Sequence, residues 1–220
     1  LSNEKRKKCQ LVLHTTPMDE HGTDIPEVIR FLFPENDHNI VISSGKFTTE
    51  QMSHLYNYAD GTILLSSAEG WGLALTESLL TGTPIIANTT GGMQDQMRFE
   101  DENGEWFTPS PEIPSNHKGT YKKHGEWAFP VYPTSRSIQG SPPTPYIYDD
   151  RCSFEDATER IIECYELGRE NLKQRGLKGR EWAMSNEAGF TSKHQGERII
   201  TAFDELFKSW VPREKYEITN

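Results

Sequence analysis

Four short aliphatic runs constrain this chain more than any other feature. "QLVLH" (10–14), "NIVIS" (39–43), "GTILLS" (61–66) and "PIIAN" (84–88) are too short for independent helices and rich in β-branched residues. The segments between them, "DIPEVIRFLF" (24–33), "TEQMSHLYNYA" (49–59) and "LALTESLLTG" (73–82), have helical period. Strands that alternate with helices fold as βαβ units, and the crossover helix makes successive strands parallel. The punctuation agrees. Thr48 with Gln51 three residues on is a capping box, and Gly82 is placed to stop the third helix. Residues 9–107 therefore read as an α/β core: a Rossmann-like, mostly parallel sheet with helices on both faces.

The pattern breaks over residues 108–150, which hold 8 of the chain's 13 prolines and no sustained periodicity. A long irregular insertion is expected there, of the kind that serves as a lid, a binding loop or a disordered segment. Trp127, Tyr132 and Tyr146 argue against full disorder. Beyond Ser153, a suitable N-cap, helical period returns with Phe154, Ala157, Ile161, Tyr165 and Leu172 on one face. A second amphipathic helix carries Ile199, Ile200, Phe203, Leu206, Phe207 and Trp210, with a shorter helix and a turn expected between the two. The chain, 1–220, reads as one domain with a core at 9–107, the insertion at 108–150 and C-terminal helices at 153–210.

The charge excludes one class of partner. A net charge of −10 and a pI near 5.2 do not suit a surface that neutralises nucleic-acid phosphates. Cys9, Cys152 and Cys164 are odd in number and have no C-x-x-C spacing, so neither a disulfide framework nor a zinc site is indicated. No apolar run reaches the roughly 18 residues of a membrane span. The start, "LSNEKRKKCQ", has no apolar signal-peptide core. A reducing cytoplasm fits this usage, with peripheral membrane attachment left open.

Chemistry concentrates in "SSAEGWGLALTESLLTGTPIIANTTGG" (66–92). If this is a strand, a turn and a helix, Gly70 and Gly72 let a ligand approach the backbone, and the first N–H groups of the helix point outward as an anion site. A continuous helix from Glu69 to Glu77 would rise about 12 Å. Two carboxylates so spaced, with an anion-binding helix start between them, suit a ligand with hydroxyls at both ends and phosphates in the middle. A nucleotide sugar has that layout.

The stretch "YNYADGTILLSSAEGWGLALTESLLTGTPIIANTTGG" resembles the donor-binding core of the GT-B glycosyltransferases, in particular the retaining family 4 group. Glu69 and Glu77 match that group's pair of glutamates separated by seven residues, although Trp71 stands where Phe is commoner. Gly82, Thr83 and Pro84 match the next element, and Gly91 and Gly92 match the glycine pair, with Asp95 where Glu is usual. The match covers about 100 residues. It implies that Glu69 contacts the donor sugar and is the residue on which turnover depends most. Gly70, Trp71, Gly72 and Leu73 would contact sugar and phosphate, and Glu77 would hold the ribose diol. Gly45, Lys46 and Phe47 would receive the base, and Gly91, Gly92 and Asp95 would border the sugar. The implied reaction transfers sugar from a UDP-, GDP- or ADP-sugar to an acceptor hydroxyl with retention, without metal or cofactor. The acceptor is left open among glycan, lipid and protein.

The resemblance also departs from the family. A basic pair that meets the diphosphate is not evident, and residues 60–107 hold Arg98 as their only cation against eight acidic residues, a balance of −7. The expectation is a donor-binding half lacking its N-terminal acceptor domain and the start of its own. Other readings stay open. The two glutamates could be a cap and a solvated helix face, Lys46 an exposed loop residue, Asp95 a helix cap, and His14 a packed strand residue. A sugar-nucleotide epimerase and a non-catalytic nucleotide-sugar-binding module share the fold.

Overall fold

The computed structural model describes residues 3–20 and 22–213. Two compact units divide the chain between His54 and Leu55. The first begins with a one-turn helix, α1 (Asn3–Arg6), and pairs β1 (Leu11–His14) parallel with β2 (Ile40–Ser43), in register from Leu11 opposite Ile40 to His14 opposite Ser43. Between them lies α2 (Ile25–Leu32), whose N-cap Asp24 accepts a hydrogen bond from Glu27 N at 2.9 Å. Helix α3 (Thr49–Tyr58) opens on the expected capping box: Gln51 N donates to Thr48 Oγ1 at 3.2 Å, and Thr48 N donates to Gln51 Oε1 at 2.8 Å.

The second unit is built on a parallel sheet, β3 (Thr62–Leu64), β4 (Ile85–Asn88) and β5 (Ala128–Val131), with β4 central and wholly buried. Helix α4 (Leu73–Thr81) joins β3 to β4 and ends at Gly82, whose φ of 85° is the left-handed conformation that glycine tolerates. Side chains alternate across β4. Ile85 and Ala87 enter a core with Leu75, Leu79, Trp127 and Trp182, while Ile86 enters a second core with Phe129, Val131, Ala157 and Leu172. Helix α5 (Phe154–Ala183) supplies both, Ala157, Cys164 and Leu172 to the second core and Trp182 and Ala183 to the first. A break at Gly168, φ 74° and ψ 160°, lies within the stretch that serves the second core, between Cys164 and Leu172. The α/β class, with parallel strands and helices, is as expected.

Three expectations need correction. The stretch 108–150 is irregular only to about Trp127. After that come β5 and an antiparallel hairpin, β6 (Ser135–Ser141) with β7 (Thr144–Arg151). Strand β5 is four residues long and includes Pro130, which an edge strand accommodates because one row of its backbone groups needs no partner. Strand β6 is exposed along nearly its whole length and the residues of β7 that are buried are Asp149 and Asp150, so the hairpin has no apolar alternation to read. No separate short helix follows α5, which runs unbroken from 169 to Ala183, with Gly176 and Gly179 where neighbouring groups leave no room for a side chain. A Cβ at Gly176 would collide with the Gly82 carbonyl, and one at Gly179 would lie 2.7 Å from Trp127. Phe154, expected on the packed face of α5, is 87% exposed. Helix α6 (Ser192–Ser209) is amphipathic as expected, though none of its residues is buried. Among the described residues, no helix is long and apolar enough to cross a membrane.

Candidate functional site

Strand β3 ends at Leu64, and the chain then turns through 65–72 before entering α4, so Glu69 precedes the helix rather than lying on it. The continuous 12 Å helical rise from Glu69 to Glu77 therefore does not exist. Gly72 takes φ 83° and ψ 62° at the N-cap, a conformation costly for any residue with a Cβ, and no side chain caps the helix. The first turn has no acidic residue either. Leu75 N donates to Gly72 O at 2.9 Å, and the N–H groups of Leu73 and Ala74 are left for solvent or an anion, reinforced by the positive end of the helix dipole. Beside them lies an open cavity of about 350 Å³ lined by Leu64, Glu69, Trp71, Gly72, Leu73 and Ala74.

The turn is held by groups that spacing does not reveal. Gln96, fully buried, donates from Nε2 to the carbonyls of Trp71 (2.6 Å) and Gly72 (3.2 Å). Its Oε1 accepts from Thr76 Oγ1 at 2.8 Å, and Thr76 in turn accepts from Trp71 Nε1 at 2.8 Å. Trp71 thus has its indole N–H satisfied while its ring meets Phe190 edge-on at 5.2 Å. On the other side the Gly91–Gly92 turn presses against the backbone of 69–71. Gly92 N donates to Gly70 O at 3.2 Å, and a Cβ at Gly92 would come 2.5 Å from that oxygen. A Cβ at Gly91, φ 50°, would collide with the Glu69 carbonyl. The glycine pair is there because two backbones touch.

Glu77 is exposed on α4, and its Oε2 accepts a hydrogen bond from Tyr56 Oη at 2.9 Å. Burial, together with the Glu77 carboxylate, holds the Tyr56 phenol above its ordinary pKa, so it stays a donor. Nothing in the spacing of the glutamates pointed to Tyr56, although it lies in the "LYNYAD" stretch. Asp95, expected to border the sugar, opens a short 3₁₀ turn (Asp95–Met97), and burial raises its carboxyl to about 6. Its side chain has no hydrogen-bonded or ionic partner among the described residues. Arg98 is held by Glu100 at 2.7 Å and by Glu187 at 2.8 Å, so it is committed elsewhere.

A second group that spacing missed braces the same turn from the hairpin. Asp150, fully buried, accepts from Thr90 Oγ1 (2.8 Å) and from Arg136 Nε and Nη2 (2.5 and 2.7 Å). Its N–H donates to Ser67 O at 2.7 Å, and Asn88 Nδ2 donates to the Asp150 carbonyl at 2.7 Å. Gly45, Lys46 and Phe47 belong to the first unit, where all three are exposed. There Phe47 stacks on His14 at 4.3 Å, and His14 Nδ1 lies 3.1 Å from Ser43 Oγ. His14 is thus a packed, hydrogen-bonded strand end.

Residues 35–115 match the family model described as Glycosyl transferases group 1. An uncharacterized glycosyltransferase of Methanocaldococcus jannaschii is 23% identical over 133 residues, 60% of this chain and 32% of its own length. Among solved structures, sucrose-phosphate synthase from Thermosynechococcus elongatus aligns with a TM-score of 0.57 at 20% identity, covering 91% of this chain and 39% of that one. A glycosyltransferase from Rickettsia africae aligns with a TM-score of 0.57 at 14% identity, covering 94% and 43%. The chain therefore spans well under half the length of the proteins it matches. The resemblance to GT-B glycosyltransferases read from the sequence holds, and the fold is theirs.

Proposed function

We propose, from the group 1 glycosyl transferase match over residues 35–115, that this chain is the donor-binding half of a retaining glycosyltransferase that uses a nucleotide-activated sugar. The observation that carries the reading is the uncapped N-terminus of α4, facing an open cavity, with Glu69 before it and Glu77 on the helix itself. The donor diphosphate meets the free N–H groups of the first turn of α4, where dipole and hydrogen bonds both favour an anion. The Glu69 carboxylate accepts from hydroxyls of the transferred sugar. Glu77 accepts from the ribose diol while Tyr56 fixes its orientation through one oxygen. Asp95 stands beside the glycine turn as a further acceptor or, protonated, a donor.

In the reaction the bond between the anomeric carbon and the phosphate oxygen breaks, and the acceptor oxygen bonds to that carbon on the same face. The departing phosphate oxygen takes the acceptor proton. No side chain acts as nucleophile, so rate comes from placement and from stabilising the leaving charge at the helix start. We place the protein in the cytoplasm, acting with an N-terminal acceptor domain and without metal.

Thermal melting of the full chain against UDP-, GDP- and ADP-sugars tests this. A ligand that binds only the folded state at about 100 times its Kd stabilises by about 2.7 kcal/mol. One nucleotide class should raise the melting temperature, and Glu77→Ala should remove most of that rise. No shift with any of them would sink the proposal. Conversion of a free nucleotide sugar to its epimer without transfer would favour the isomerase.

A further inference from the structure

The β6–β7 hairpin carries aromatic side chains that neither core takes up. Tyr148 is 57% exposed, Tyr146 67% and Ile138 62%. The register sets Arg136 opposite Asp150 and Ile138 opposite Tyr148. Strand side chains alternate, so Asp150 and Tyr148 share one face, and Tyr146, beside the register shift between Gln139 and Ser141, lies against Gly140, the position two beyond Ile138. At the base of that face the Asp150 carboxylate accepts from Thr90, next to the Gly91–Gly92 turn. With a rise of about 3.4 Å per residue, Tyr148 and Tyr146 follow at roughly 7 and 14 Å outward. The aromatic row thus starts at the edge of the candidate donor site and leads away from it.

Each ring is fixed from one side. The Arg136 guanidinium, held by Asp150, lies 4.6 Å from the centroid of Tyr148. Tyr146 lies against Gly140, where a Cβ would come 2.9 Å from its Cδ1. The exposure of both residues leaves ring surface open to solvent. Charge then selects the occupant. Residues 135–151 hold two arginines and two aspartates, net zero, and they are paired as Arg136 with Asp150 and Arg151 with Asp149 at 2.7 Å. A polyanion or an anionic bilayer needs unpaired cations, which this hairpin does not offer. A pyranose is neutral and presents a C–H face ringed by hydroxyls, which matches a flat aromatic surface bounded by polar groups.

We propose that the Tyr146 and Tyr148 face of the hairpin is an acceptor subsite for a neutral oligosaccharide, successive sugar rings stacking along it toward the Gly91–Gly92 turn. The word acceptor rests on the donor-site reading above, while the glycan site itself does not. The test applies the full chain to an array of neutral oligosaccharides (malto-, cello-, manno- and chito-tetraoses), with titration of any that are retained. At least one should bind, and Tyr146→Ala with Tyr148→Ala should weaken it at least tenfold. The double Tyr→Phe variant should stay within about threefold of the parent, since stacking survives loss of the hydroxyls. Melting temperatures of the variants, with and without a nucleotide sugar, separate the two readings. Unchanged nucleotide-sugar shifts with lost glycan binding support the subsite. Glycan binding without any nucleotide-sugar shift would retain the subsite and refute the donor site. Absence of glycan binding, binding indifferent to the alanine pair, retention on phosphatidylserine vesicles alone, or a tyrosine-dependent dimer in sedimentation would each overturn the subsite.

Discussion

Asp95 shows how one partly buried carboxyl couples stability to pH. Burial disfavours its charged form and lifts its pKa from 3.8 to about 6. The folded state therefore holds this proton more tightly than the unfolded chain. The group's favourable contribution is complete below about pH 4 and is lost as pH rises through 6. At neutral pH the ionised carboxylate costs up to about 3 kcal/mol. Asparagine is neutral throughout, so Asp95→Asn should raise the unfolding free energy in urea by about 1 to 3 kcal/mol at pH 7.5, with the gain vanishing near pH 4. An equal gain at both pH values would mean the carboxylate is solvated. The acid side of the profile runs the other way. Hydrogen bonds and ion pairs hold Glu187 and Glu100 below their ordinary pKa, so their contributions are lost as pH falls through the carboxylate range.

At the scale of elements, the 69–72 turn is shaped by two neighbours rather than by its own sequence. Gln96 bonds both of its middle carbonyls, and Thr76 links that amide to the Trp71 indole. Gln96→Leu keeps the volume and removes the three bonds its amide makes, to Thr76 Oγ1 and to the carbonyls of Trp71 and Gly72, leaving those groups without this partner at about 1 to 3 kcal/mol each. Urea unfolding should report a loss of at least about 2 kcal/mol, and nucleotide-sugar shifts should fall with it. A variant as stable as the parent would remove Gln96 from the account. Gly92→Ala attacks from the other side, driving a methyl to within 2.5 Å of Gly70 O. Overpacking of this kind costs about 1 to 3 kcal/mol. The glycine pair was legible in the sequence as a motif, and the capping box at Thr48 and Gln51 as chemistry. The amide that braces the turn was not, because Gln96 lies 24 residues from Gly72 and a glutamine carries no periodic signal. Tyr56 escaped for the same reason, being 21 residues from Glu77.

Within the second unit legibility followed burial, whereas β1 and β2 were legible from their aliphatic runs although none of their residues is buried. Strands β3 and β4 and helix α4 were readable because β4 is buried on both faces and α4 on one, which imposes an apolar pattern. The hairpin and β5 were not, one burying only the acidic pair Asp149 and Asp150 and the other interrupted by Pro130. The same contrast separates the two units. Residues 55–213 contain both apolar cores, whereas among the described residues of 3–54 none is buried and Phe31 on α2 is 82% exposed. Apolar burial is the main term opposing chain entropy, so the first unit has little to hold it closed. Its β1–β2 amides should open with free energies near zero, on the order of 1 kcal/mol, while those of β4 should require something close to global unfolding. Hydrogen exchange followed by mass spectrometry on the full chain resolves the two. Peptides covering 39–43 should exchange within seconds at neutral pH, and those covering 84–88 should remain protected for hours. Comparable protection in both would mean that the first unit draws stability from packing that its own residues do not supply. Slowed exchange at Gly45, Lys46 and Phe47 on adding a nucleotide sugar would support the base contact expected of them, and unchanged exchange there would remove them from the candidate residues.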